Sequence, residues 1–381
     1  MPKKVVFTNR LMRPIAHFSH AARVGNLVHI GATAGVHPDL RLAGESPGRI
    51  DASAQIHKMF DNLDTALGLI DARMSDVVRI KTYLAFPRDV ATYRPIFEQR
   101  CAALTLAHTV IGSWDFPLPQ AAVELDAVAV TGGGKVDSAG GMMAGGFHYA
   151  TASPLAQDQT AGAGNIREQA SAALDNLSAM LEAAGLGLTD ICNLHLTLRD
   201  IRDQAAVQVA LTEAFRTRIP TCTIVGAPLE RPDFSISIES IATQGGGEIV
   251  DSRAVPHQAT HFAPAMRCGD FLFISGQNGL CGDTPSGVQQ QTDLAWMRLS
   301  SLIEAAGFAP DSMIRTNNVL TDWRDYAAFN AGYGTHVREP YIPRTTVLGM
   351  LNEQAARVQI DGIAHRHGND ATILQVPPPA K

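Results

Sequence analysis

Apolar residues recur along this chain with two alternating periods, and the order of those periods itself repeats. Ile56, Met59, Phe60, Leu63 and Leu67 fall on one stripe at spacings of three and four, which predicts a helix from about Ala52 to Asp71. Val77 to Phe86 then reads as a strand, Pro87 punctuates it, and a second helix follows from about Asp89 to Leu104. The same succession returns as a helix over about Ile166 to Ala184, a strand over Ile191 to Leu198 and a helix over Asp203 to Thr217. It returns again over Thr292 to Ala306, Met313 to Leu320 and Trp323 to Val337. Gly185 and Gly307 supply the left-handed stops of two of these helices. Each group closes on two strand-like runs, within His108 to Val130, Pro220 to Ala242 and Ile342 to Ala364.

Short words recur in register as well. Glu182-Ala183-Ala184-Gly185 reappears as Glu304-Ala305-Ala306-Gly307, and Asp61-Asn62-Leu63 as Asp175-Asn176-Leu177. The chain is therefore read as a threefold repeat. The expected units are residues 1–131, 135–244 (with a shortened N-terminal arm) and 248–367, followed by a flexible tail over 368–381. The glycine triplets Gly132-Gly133-Gly134 and Gly245-Gly246-Gly247 mark the two joins. Each unit is an α+β layer with two helices on one sheet face. Alternating Phe234, Ile236 and Ile238 make a strand face that also needs cover. Three sheets packed together with helices outermost meet that need, giving an intramolecular pseudo-trimer.

Composition narrows the function. With 381 residues and 45% hydrophobic content the chain can build three cores of ordinary size. A net charge of −6 with scattered arginines gives no basic face for nucleic acid. Five cysteines without a CxxC spacing point to a reduced, cytoplasmic setting. No apolar run reaches the roughly 18 residues of a membrane span. The thirteen histidines form no HExxH, and neither a metal nor an organic cofactor is implied. A monomeric pseudo-trimer is expected, with further homodimerisation open.

The chemistry concentrates at Ile342-Pro343-Arg344-Thr345-Thr346-Val347 and its return run Val358 to Ala364. Read as an antiparallel hairpin, these runs set Arg344 opposite Gln359 or Ile360, with Asp361 on the Gln359 face. A planar guanidinium suits a substrate carboxylate, held through two parallel hydrogen bonds. The structural alternative is an arginine paired with Asp361. Gln359 can orient a water but cannot take its proton. Ser275 has no histidine–acid pair beside it and is read as a hydrogen-bond donor. Cys222 is read as a buried, inert thiol before a reactive one. Tyr83, Arg79 and Arg94 are candidates to line another junction, with surface roles as the default for the arginines. Asp126, Glu239 and Asp361 place an acid at one position of all three repeats, which marks that position as structural.

These residues resemble the RidA/YjgF/L-PSP family of enamine/imine deaminases. Ile274-Ser275-Gly276-Gln277 is similar to its S-G-Q segment, Asn330 to the asparagine of its second helix, and Pro343-Arg344-Thr345 to its P-x-R-[ST] signature. The resemblance implies a trimer-like, chorismate-mutase-like fold with a ligand cleft at each junction and hydrolysis of 2-imino acids to 2-keto acids plus ammonia. It implies Arg344 as the carboxylate clamp, Gln359 at the place of the water-positioning glutamate and Ser275 as a cleft serine. Phe262, Gly276, Asn330, Thr346 and Arg315 complete the binding set. Repeat 1 keeps the glutamate as Glu124, read as a reserve general base at a different junction, with Val110 at the arginine place and Arg94 at the asparagine place. Repeat 2 has Cys222 and Ser237 at the arginine and glutamate places. A non-catalytic carboxylate-binding or scaffold protein is the alternative, as is a specialised catabolic or biosynthetic hydrolase like the chorismate-cleaving relatives of the fold. The acidic charge disfavours the ribonuclease activity once attached to the family.

Overall fold

A computed structural model describes residues 2–155, 164–216, 219–256, 262–282 and 286–375. Each repeat carries its own helix-on-sheet core. In repeat 1 the helix Ala52–Leu69 buries Ile56, Met59, Phe60, Leu63 and Leu67, the predicted stripe, against the sheet. Asp51 caps its N-terminus by accepting from the Ala54 N–H, replacing one of the bonds a helix start lacks. The helices Ile166–Ala183 and Val288–Ala305 do the same in repeats 2 and 3. The shorter helices Val90–Arg100, Gln204–Phe215 and Tyr326–His336 lie beside them.

Strand order departs from the hairpin reading. Arg344–Leu348 runs parallel to Met313–Leu320, pairing Thr316 with Arg344 and Leu320 with Leu348. Val358–His365 pairs antiparallel with the other edge of Met313–Leu320. Arg344 therefore does not sit opposite Gln359 or Ile360. The cause is the helix Tyr326–His336, a crossover of the length that parallel pairing requires. Repeats 1 and 2 obey the same rule, with Ala107–Gly112 parallel to Val77–Leu84 and Thr221–Gly226 parallel to Ile191–Leu198. This register also corrects the counterpart of Arg344 in repeat 1, which is His108 and not Val110; in repeat 2 it is Cys222.

The three sheets pack inward. One shared apolar cluster draws Val128, Met142, Phe147, Cys192, Met266 and Phe273 from all three repeats. A second draws Tyr83, Phe116, Val225, Phe234, Val319 and Val347. A charged layer also joins the sheets. Arg79 bridges Asp126 (2.7 Å) and Glu239 (2.6 Å), Arg315 reaches Asp126 (2.8 Å), and Lys81 pairs with Glu239. Asp361 accepts from Asn317 (2.8 Å) and lies 3.3 Å from His195. The acid shared by the three repeats is thus an axial tie, and Arg79, its side chain 14% exposed, is engaged in it instead of lying at the surface.

The expected flexible tail is corrected over Ala371–Gln375, whose backbone runs parallel to Lys3–Phe7 in the sheet of repeat 1. Lys3 Nζ donates to the Met313 carbonyl at 3.0 Å, tying this seam to repeat 3. Residues 376–381 of that tail lie outside the described residues. Among the described residues no helix is long and apolar enough to cross a membrane.

Candidate active site

Arg344 starts its strand at the join between repeat 3 and repeat 1. Its side chain is 4% exposed, and its guanidinium lies 4.4 Å from the centroid of the Tyr333 ring and 5.4 Å from that of Phe329. Nη2 donates to Asn330 Oδ1, while Nη1 has no hydrogen-bond partner among the described residues. Both ring faces and the amide come from the helix Tyr326–His336, which holds the cation without neutralising it. Asp361, the proposed structural partner, is occupied on the axis with Asn317 and His195. A buried guanidinium with an unfilled donor is a ready seat for a planar anion.

The wall facing Arg344 belongs to repeat 1. The cleft is lined by Arg344, Thr346 and Tyr326 of repeat 3, and by Met12, Ile15, Phe18, Ala32, Pro117, Leu118 and Glu124 of repeat 1. Its volume is about 430 Å³ with the open mouth included. Glu124, read from sequence as belonging to a different junction, lines the same cleft as Arg344. The strands bearing the two residues are pinned by their neighbours, since Thr345 Oγ1 donates to Asp126 Oδ2 at 3.1 Å. Gly31 permits the approach: a Cβ there would stand 3.2 Å from the Arg344 backbone nitrogen and oxygen. Gly31 occupies the position that Ser275 holds in repeat 3, because Ile30 pairs with Ala127 as Ile274 pairs with Gly362.

Glu124 is 7% exposed, and burial pushes its carboxyl up to about 8. Desolvation, which disfavours the charged form, is what raises it. A carboxyl tuned near neutral pH is suited to giving and taking protons. His17, beside Phe18, is held below its ordinary value by burial and then by the Arg344 charge.

The other residues proposed for this cleft lie elsewhere. Ser275 Oγ accepts from the Cys222 N–H (2.9 Å) and donates to the Ala263 carbonyl (2.7 Å), at the join of repeats 2 and 3. The Gly276 N–H donates to Thr223 Oγ1 at 3.0 Å, and Gln359 Nε2 reaches the Ile224 carbonyl at 3.4 Å. Phe262 forms a β-bridge with Ile219 at that join. Ser275, Gly276, Gln359 and Phe262 therefore do not share the Arg344 cleft. Each repeat presents its arginine-position residue to the next repeat's wall, so a motif within one repeat is split between two junctions. Arg315 lies in the axial layer, bound to Asp126 and Asn317, and not in the cleft. Cys222 is 4% exposed and its thiol is raised by burial, in keeping with an inert thiol. Arg94 pairs with Glu230 at the join of repeats 1 and 2. No group of three or more His, Cys, Asp or Glu side chains placed to hold a metal occurs among the described residues.

Phe18, Tyr326, Phe329 and Tyr333 were missed as site residues. Phe18 carried a usable signal, since Phe18-Ser19-His20-Ala21 occupies in repeat 1 the place of Phe262 in repeat 3.

The family model described as Endoribonuclease L-PSP matches residues 8–131, 141–244 and 252–366. The chain belongs to this L-PSP family. Its relatives include the putative reactive intermediate deaminase TdcF of Escherichia coli K12, 26% identical over 125 aligned residues, with 31% of this chain and 97% of TdcF covered. The 2-iminobutanoate/2-iminopropanoate deaminase of Mus musculus is 24% identical over 121 residues, covering 31% of this chain and 90% of the mouse protein. Each relative thus corresponds to about one repeat. Among solved structures a chorismatase shares the fold, with a TM-score of 0.57 and 13% identity over 76% of this chain and 93% of that one. The L-PSP chain therefore carries three copies of the family unit, with its Arg344–Glu124 cleft assembled from the third and first.

Proposed function

We propose that this L-PSP protein hydrolyses imines of 2-oxo acids, releasing the 2-oxo acid and ammonia, in the cleft between repeats 3 and 1. The observation that carries this reading is a buried arginine with an open donor in one cleft with a carboxyl whose pKa is near 8. Family relatives that are named as deaminases lend it support.

Arg344 clamps the carboxylate, with Asn330 and Tyr333 keeping its guanidinium in place. Protonated Glu124 gives its proton to the imine nitrogen, making C2 electrophilic. The resulting carboxylate takes a proton from water as the water oxygen bonds to C2, forming a carbinolamine. Glu124 then protonates the amine and takes the hydroxyl proton as the C–N bond breaks. Ammonia leaves, the 2-oxo acid remains, and Glu124 ends protonated as it began. Positioning and one proton shuttle suffice for such a reactive substrate.

The test generates imines in situ with an amino-acid oxidase and follows ammonia and 2-oxo acid release with and without the protein. Acceleration abolished by Arg344→Ala supports the reading. No acceleration, with Arg344→Ala altering only ligand affinity, replaces it with the carboxylate-binding alternative.

A further inference from the structure

Apart from Arg344, Glu124 and the hydroxyls of Thr346 and Tyr326, the cleft offers a substrate mainly carbon. Met12 and Ile15 come from the N-terminal arm, Phe18 from the segment that follows, and Pro117 and Leu118 from the loop between the last two strands of repeat 1. Tyr326 closes the side toward repeat 3. Met12, Ile15, Pro117 and Leu118 are half-buried, so each has apolar surface still to be covered. The position that holds a serine in repeat 3 is Gly31 here, which adds no hydroxyl. The Thr346 hydroxyl accepts from Asn318 Nδ2 at 3.1 Å and keeps its O–H to donate toward the imine end of the substrate. Once the carboxylate and the imine nitrogen are met, the rest of the substrate faces aliphatic and aromatic side chains.

We infer that the cleft selects imino acids with a large apolar side chain, branched aliphatic or aromatic, over the methyl-bearing imine of pyruvate. This rests on the function proposed above and specifies its substrate class. Burial of apolar area contributes about 25 cal/mol per Å². A hydrophobic pocket discriminates one methylene by roughly 10- to 200-fold. A polar or charged side chain would meet no partner from Met12, Ile15 or Leu118. The reaction that supplies such a substrate is oxidation of an apolar α-amino acid at its C–N bond, which yields this imine and a reduced electron acceptor.

The test uses the full chain with imines made in situ by an amino-acid oxidase from L-leucine, L-phenylalanine and L-alanine. The expected kcat/KM is at least 10-fold higher for the first two. In parallel, calorimetry compares 4-methyl-2-oxopentanoate, phenylpyruvate and pyruvate, the corresponding 2-oxo acids, as ligands that need no turnover. The first two are expected to bind at least 10-fold more tightly. Leu118→Gln, at a half-buried loop position, is expected to weaken binding of 4-methyl-2-oxopentanoate and phenylpyruvate more than that of pyruvate, and so to reduce the preference. Turnover of all three imines at similar kcat/KM overturns the preference while the deaminase reading stands. Equal or undetectable binding of the three 2-oxo acids, with no turnover, overturns both.

Discussion

Arg344 and Glu124, the first from repeat 3 and the second from repeat 1, line one cleft, and their strands are joined by the Thr345–Asp126 hydrogen bond. Neither repeat holds both groups, so the pair exists only in the closed three-repeat assembly. Replacing Arg344 by alanine is expected to lower kcat/KM at least 100-fold. Arg344→Lys should recover little of it, because an ammonium cannot present two parallel donors. Steady-state kinetics on a leucine-derived imine check this, and near-wild-type activity in the lysine variant would refute the bidentate role.

Glu124→Gln should reduce kcat by roughly 10²- to 10⁴-fold, the usual worth of a positioned acid–base group. In the wild type, kcat/KM should fall as pH rises past about 8, where Glu124 loses its proton, and the variant should lack that limb. Stability carries the same signature. Because folding raises the Glu124 pKa, its stabilising contribution is full below 4.5 and is lost as pH rises through about 8. The glutamine variant should therefore gain on the wild type across that window in denaturant titrations.

Gln359→Glu restores the family's residue in repeat 3 but should not raise activity. Its amide nitrogen faces the Ile224 carbonyl at the join of repeats 2 and 3, where Cys222 stands at the arginine place. The new carboxylate would meet an acceptor instead of a donor, so a small loss of stability is expected. A clear gain in turnover would mean that a second cleft is in use.

Asp126→Asn should cost about 3–5 kcal/mol, because it leaves Arg79 and Arg315 partly uncompensated inside the assembly. Burial opposes ionisation of Glu239, yet Arg79 and Lys81 outweigh it and hold its pKa at about 2. Stability from that group is complete above 4.5 and is lost as pH falls toward 2. Urea titration between pH 6 and 2 should show the wild type losing stability over this range, and Glu239→Gln should flatten the loss.

The repeats were legible because helix stripes and stops such as Glu304-Ala305-Ala306-Gly307 are local signals that tolerate no change of period. Arg344 was legible because a proline-arginine-threonine start is an unusual way to begin a strand in an apolar core. Strand partners were not. Arg344–Leu348 and Val358–His365 are close in sequence, but the crossover helix Tyr326–His336 sends the first to the far side of Met313–Leu320. The grouping of site residues failed for a related reason. Glu124 and Ser275 are each complete within a repeat's own pattern, whereas the neighbour each one faces is set by how three sheets close around an axis.

That closure has a seam. Repeats 1 and 2, and repeats 2 and 3, are connected covalently, but repeat 3 meets repeat 1 only through contacts such as the pairing of Lys3–Phe7 with Ala371–Gln375. The Arg344–Glu124 pair straddles this unlinked boundary, and the pairing that shuts it lies at the edge of the repeat 1 sheet. Local opening at such a sheet edge takes less free energy than unfolding a core. Loosening there would part the arginine from its carboxylic acid while each helix-backed core stayed intact, so inactivation should run ahead of unfolding.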